Sequence, residues 1–131
     1  MTDTTTHVWP GLRYVDAPAA LDFLVRAFGF VETARYPGGE PNSVGHAELR
    51  WPAGGGIMLG SPRTDSVLRD LPAGTGSVYI VSDDVDALFA RAVAAGATVV
   101  RGLADEEYGS RGFTVRDPEG VYWSFGTYRG E

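Results

Sequence analysis

The chain has 131 residues, no cysteine and a net charge of −6, set by 17 Asp and Glu against 11 basic residues, every one of them Arg. Its size suits one compact unit that buries roughly two-thirds of its unfolded surface. The charge excludes the basic footprint of a nucleic-acid binder, and the missing thiols exclude disulfides and thiolate metal sites.

The opening stretch MTDTTTHVWP lacks the basic and apolar regions of a secretory leader, and no run approaches the ~20 apolar residues that span a bilayer. A cytoplasmic protein without membrane or nucleic-acid partners is expected. The acidic balance serves solubility and leaves room for a cationic small molecule. Residues 8–15 (VWPGLRYV) read as a first strand, interrupted by Pro10 and Gly11 in the manner of an edge or a bulge. Asp16 caps a helix: Pro18 suits the first turn, Leu21, Leu24, Val25 and Phe28 recur at helical spacing, and Gly29 is a left-handed stop. Strands follow at 30–36, 44–51 and 57–60, separated by the turn-rich PGGEPNS and PAGGG.

Residues 61–75, with two prolines and mixed charge, form a connection, after which the pattern returns. A strand at 77–82 leads to a cap at Asp83 or Asp84, a buried stripe of Val85, Leu88, Phe89 and Ala92, and a stop at Gly96. Thr98–Arg101 reads as a strand pairing with the Phe30 segment, and Arg111–Arg116 matches the third strand with Gly112 answering Gly45. DPEG then turns the chain into a last strand over 121–128.

A shift of 67 places carries Asp16, Ala20, Leu21, Ala27 and Gly29 onto Asp83, Ala87, Leu88, Ala94 and Gly96. Two copies of so long a period are too few for a solenoid and read as two modules sharing a core. The expected fold is α+β: two βαβββ modules, about 8–60 and 76–128 with a linker at 61–75, form curled mixed sheets around a central cavity, helices outside, within one domain over 1–131.

Strand alternation decides what such a cavity contains. In the third strand Ala47, Leu49 and Trp51 are the apolar set and belong under the helices, which leaves His46, Glu48 and Arg50 on the concave side. The same argument places Trp9, Met58, Ser77, Tyr79, Phe113, Tyr122 and Ser124 there, with Arg111 at the loop mouth. Rings, a thioether and hydroxyls suit a flat or amphipathic organic molecule; the other reading is that the aromatics fill a small core. His46 and Glu48, two apart on a strand, share one face as a candidate acid–base pair. The three glycines at 54–56 open no helix and read as a turn, not a phosphate cradle, and DPEG reads as a turn without chemistry.

The cadence VDAPAALDFLVRAFGF in one half, with SDDVDALFARAVAAGA and DPEGVYWSFGTY in the other, resembles the vicinal oxygen chelate superfamily of glyoxalases, bleomycin-resistance proteins and extradiol dioxygenases over roughly residues 8–128. In its metal-dependent members the resemblance places ligands on the first and last strands of each module, which here gives Trp9, Ser77, Met58 and Ser124. Trp cannot ligate, and Met and neutral Ser are poor ligands for a hard or borderline divalent cation, so neither a metal nor another cofactor is expected. The resemblance therefore implies a metal-free binding protein that sequesters an aromatic or amphipathic molecule, such as an antibiotic or secondary metabolite, as a homodimer. The competing expectation is a glyoxalase-like lyase, isomerase or dioxygenase with an atypical metal or with Glu48 and His46 as acid and base. Whether the modules pair within one chain or between chains stays open.

Overall fold

The computed structural model describes residues 5–131. In the first module strand β1 (Gly11–Arg13) leads into helix α1 (Ala17–Phe28), then β2 (Val31–Pro37), β3 (Val44–Arg50) and β4 (Gly56–Gly60). In the second, β5 (Ser77–Val81) leads into α2 (Val85–Ala94), then β6 (Thr98–Asp105), β7 (Arg111–Arg116) and β8 (Tyr122–Gly126). Each module bonds its own mixed sheet, in the orders β1-β4-β3-β2 and β5-β8-β7-β6, with the first pair of each order parallel. The expected α+β fold of two βαβββ modules is the observed one, but within one chain the helices pack on each other inside a core shared by both sheets, so the faces expected to line a central cavity turn outward.

The expected pairing of Thr98–Arg101 with the Phe30 segment is corrected: β6 bonds β7 and β2 bonds β3, in separate sheets. Each pair is a hairpin neighbour in sequence, and short antiparallel closure prevails over a distant partner. The first strand is also shorter than expected. Pro10 has no N–H to give, so it serves the sheet only as an acceptor, from the Met58 N–H at 2.9 Å.

Local chemistry sets the helix ends. Ahead of α1 the Asp16 carboxylate accepts from the Ala19 N–H, and Gly29 closes the helix in the left-handed region at φ 88°. Of the two candidate caps for α2, Asp84 is the one used, accepting from the Ala87 N–H, and Gly96 follows at φ 102°. No helix among the described residues is long and apolar enough to cross a membrane.

One core spans both modules. Phe28 at the end of α1 meets Trp123 and Phe125 of β8 at 5.4 and 4.9 Å between ring centroids, and Phe30 meets Trp123 at 5.7 Å. Both sheets turn their helix-facing sides into this core, which leaves the opposite faces to solvent. Arg91 of α2 locks the helices together by donating to the Arg26 and Val25 carbonyls at the end of α1, at 2.7 and 3.1 Å.

The DPEG turn is a second clasp between modules. Asp117 is buried; one of its oxygens accepts from the backbone N–H groups of Glu119, Gly120 and Val121. The other accepts from the Tyr14 hydroxyl at 2.5 Å and the Trp123 indole at 3.0 Å. Glu119 reaches across to the N–H groups of Val15 and Asp16 at 2.6 and 2.8 Å. Burial first, and the Asp117 charge second, push the Tyr14 hydroxyl well above its ordinary ionisation range.

Candidate functional site

The faces turned away from the core carry the candidate chemistry, and strand register orders it into rows. On the first sheet Glu48 lies opposite Met58, which lies opposite Gly11. His46 Nε2 donates to Glu48 Oε2 at 2.8 Å, and the Tyr36 ring stacks on the imidazole with centroids 6.2 Å apart. One row along, Arg50 lies opposite Gly56. A Cβ on Gly56 would come within 2.7 Å of the Trp9 ring, so the missing side chain is what lets the indole lie over the sheet. Arg50 sets its guanidinium 4.6 Å from the centroid of that ring and donates to the Thr6 hydroxyl at 2.6 Å.

The second sheet repeats the arrangement with different side chains. Thr114 lies opposite Ser124, which lies opposite Tyr79, and the Thr114 and Ser124 hydroxyls bond at 2.8 Å. In the next row Arg116, Tyr122 and Ser77 are aligned, with the Arg116 guanidinium 5.1 Å from the Tyr122 ring centroid. The Tyr79 hydroxyl donates to the Tyr128 carbonyl at 2.7 Å. Tyr36, Tyr79 and Tyr122 are 59, 48 and 40% exposed, a density of uncovered rings on two sheet faces that a solvated surface does not require.

The structure thus brings His46, Glu48, Met58 and Trp9 together on one open face, and Ser77, Tyr79, Tyr122 and Ser124 on the other. Two expected residues lie elsewhere. Phe113 is in the core, stacked on Phe125 at 5.1 Å, and Arg111 turns to the helix side, bonded to Asp86 of α2 at 2.9 Å and to Asp105 at 3.3 Å. The physical reason for Phe113 is a change of register along the repeat. Asp16 corresponds to Asp84, Gly29 to Gly96, and the facing pair Glu48–Met58 to Thr114–Ser124, offsets of 68, 67 and then 66. Taking 67 throughout sets Phe113 against His46 when its counterpart is Ala47, and a one-residue slip in a strand exchanges its faces.

Trp51 is half-buried, packed against Phe30 and Phe125 at 5.2 and 6.1 Å. It lines a cleft of about 630 Å³ between the modules, together with Phe28, Ile57, Val78 and Ile80. A smaller pocket of about 220 Å³ lies on the open face of the first sheet, where His46, Met58 and Arg13 meet Leu68, Leu71 and Pro72 of the linker. Arg13, Thr114, Arg116 and the linker leucines were not singled out by sequence. For Arg116 a signal existed, since Arg50 and Arg116 both end the third strand of their module.

The donor set does not fit a divalent metal. His46 and Glu48 supply two ligands on one sheet, the facing positions offer a thioether and neutral hydroxyls, and no group of three or more His, Asp or Glu among the described residues is placed to hold an ion.

The family model described as Glyoxalase/Bleomycin resistance protein/Dioxygenase superfamily matches residues 6–125. An uncharacterised protein of Mycobacterium bovis is 40% identical over 126 residues, which cover 89% of this chain and 80% of that one. Among solved structures, TioX from Micromonospora sp. ML1 is 34% identical with a TM-score of 0.81, over 95% of this chain and all of that one. A glyoxalase/bleomycin resistance protein/dioxygenase from Nocardioides, at 20% identity and a TM-score of 0.69 over 96% of this chain and 85% of that one, shares the fold.

Proposed function

The chain belongs to the glyoxalase/bleomycin resistance protein/dioxygenase superfamily, and from that premise we propose that it binds a small organic molecule and sequesters it by burial, not by bond chemistry. The carrying observation is the lining of the open faces: Trp9 and Met58 on one, Tyr79, Tyr122, Ser77 and Ser124 on the other, none of them claimed by the core. Rings and a thioether supply contact area, and the hydroxyls supply orientation. Each open face is half of an enclosure, and a second copy of the chain supplies the other half in a homodimer. A flat or amphipathic antibiotic or secondary metabolite, met in the cytoplasm by a one-domain protein over 1–131, is the ligand class this reading takes.

A second reading rests on the His46–Glu48 contact. In the tautomer whose Nε2–H is given to the carboxylate at 2.8 Å, Nδ1 has no hydrogen-bond partner among the described residues and can take a proton from a bound molecule. Under this reading the protein is an acid–base enzyme of the same pocket.

Titration of tryptophan fluorescence against aromatic metabolites and peptide antibiotics, run beside thermal melts, tests the binding reading. Trp9→Ala and Tyr122→Ala are expected to weaken binding by ~0.5–1.5 kcal/mol each while the melts hold. Trp51→Ala, which removes a ring packed on Phe30 and Phe125, is expected to lower stability by about 3 kcal/mol instead. Normal binding with early melting in the first two variants refutes the reading.

A further inference from the structure

The arginines are not distributed at random. Six of the eleven face a carboxylate: Arg26, Arg35, Arg63, Arg101, Arg111 and Arg129. Of the other five, Arg91 is occupied by the end of α1 and Arg69 turns back onto the Ser66 carbonyl. The remaining three, Arg13, Arg50 and Arg116, all lie on the open faces, and none has a carboxylate partner among the described residues. In a chain with acids in excess by six, three guanidinium groups without counter-ions among the described residues, on the two faces that carry the exposed rings, mark those faces for an anion. The Glu48 carboxylate on the first face is already bonded to His46.

Arg13 is the best placed of the three. It alternates with core-buried Leu12 on β1, lies opposite Gly60, and among the described residues its side chain gives a single hydrogen bond, to the Ser61 carbonyl at a long 3.4 Å. Most of its five N–H donors are therefore unassigned. It sits in the pocket of about 220 Å³ whose other walls are Met58, His46, Leu68 and Leu71. That volume is below the ~300 Å³ at which whole-ligand pockets begin, so it suits one end of a longer molecule. Accepting the binding reading above, we infer that the ligand is an organic anion: its acid group is taken by Arg13 under the linker, and its aromatic body runs along Met58 toward the Arg50–Trp9 pair.

Calorimetric titration with three probes of one shape tests this: 2-naphthoate, its neutral amide, and the corresponding naphthylmethyl-trimethylammonium cation. Naphthoate is expected to bind at least tenfold more tightly than either, with the preference shrinking in 0.5 M salt because partly exposed charge pairs are screened. Arg13→Gln is expected to abolish the preference and Arg13→Lys to restore part of it. Arg35→Gln, whose arginine is already paired with Glu32, leaves the preference unchanged, and circular dichroism melts verify that each variant folds. If the amide or the cation binds as well as naphthoate, the anion inference falls and the binding reading stands. A naphthoate preference that survives Arg13→Gln overturns the placement at Arg13. Absence of heat with all three probes at millimolar concentration overturns both readings.

Discussion

Replacing Tyr14 by Phe removes one hydroxyl from the centre of the clasp between modules and changes little else. The ring is 1% exposed and keeps its packing, and Asp117 keeps the Trp123 indole and three backbone N–H groups. What is lost is a hydrogen bond of 2.5 Å to a buried carboxylate, and bonds to charged acceptors contribute about 1.5–3 kcal/mol net. With the carboxylate still well served, about 2 kcal/mol is expected, a fall in melting temperature of roughly 6–10 °C for a chain of this size. The pH dependence is more telling. In the unfolded chain Tyr14 ionises near its ordinary 10.0, while the folded hydroxyl, desolvated and beside Asp117, holds its proton to higher pH. Above pH 10 the unfolded state therefore binds fewer protons than the folded one, and the contribution of Tyr14 falls as pH rises, by about 1.4 kcal/mol per unit. The wild-type advantage over Tyr14→Phe is full below pH 10 and vanishes about one and a half units above it. Urea unfolding followed by circular dichroism at a series of pH values from neutral to strongly alkaline measures both quantities. A difference under 0.5 kcal/mol at neutral pH, or an advantage that does not shrink above pH 10, refutes the reasoning.

Static light scattering across a hundredfold concentration range is expected to return twice the chain mass; a persistent monomer would leave each open face without its second half. Gly112→Ala would drive a Cβ into the Phe125 carbonyl oxygen on the neighbouring strand, which cannot retreat without breaking the sheet, so a loss above ~3 kcal/mol is expected in thermal melts. Gly39→Ala, with open space around its Cβ position and no left-handed backbone, serves as the near-neutral control.

What sequence could tell followed the range of the interactions involved. Asp16, Pro18 and Gly29 announce a helix because capping and left-handed closure are settled within a few residues. The same locality made Asp83 and Asp84 indistinguishable, since either carboxylate could reach an N–H group three residues on. Alternation placed Ala47, Leu49, His46 and Glu48 on their correct faces because one strand carries its own phase. It failed at Phe113, where the phase was borrowed from the other module across a repeat that loses a residue near the end of the helix and another before β7. DPEG was legible as a turn and opaque as a clasp, because the buried role of Asp117 depends on a tyrosine 103 positions away. Arg13 and the linker leucines come together only through the folding of residues 61–75 back over the first sheet.

The location of the core on one side of both sheets has a consequence for how such a chain adapts. On the binding reading proposed above, substitutions at Met58, Tyr79, Tyr122 or Ser124 would alter what the protein holds without removing a core contact, because Leu59, Ile80 and Trp123 bear that burden from the opposite side of the same strands. Alternate positions along one strand thus answer to two separate selective pressures. Under that reading a lineage built this way can exchange guests by drift on one surface while the other stays fixed, so sequence divergence among relatives is expected to be greatest at every second residue.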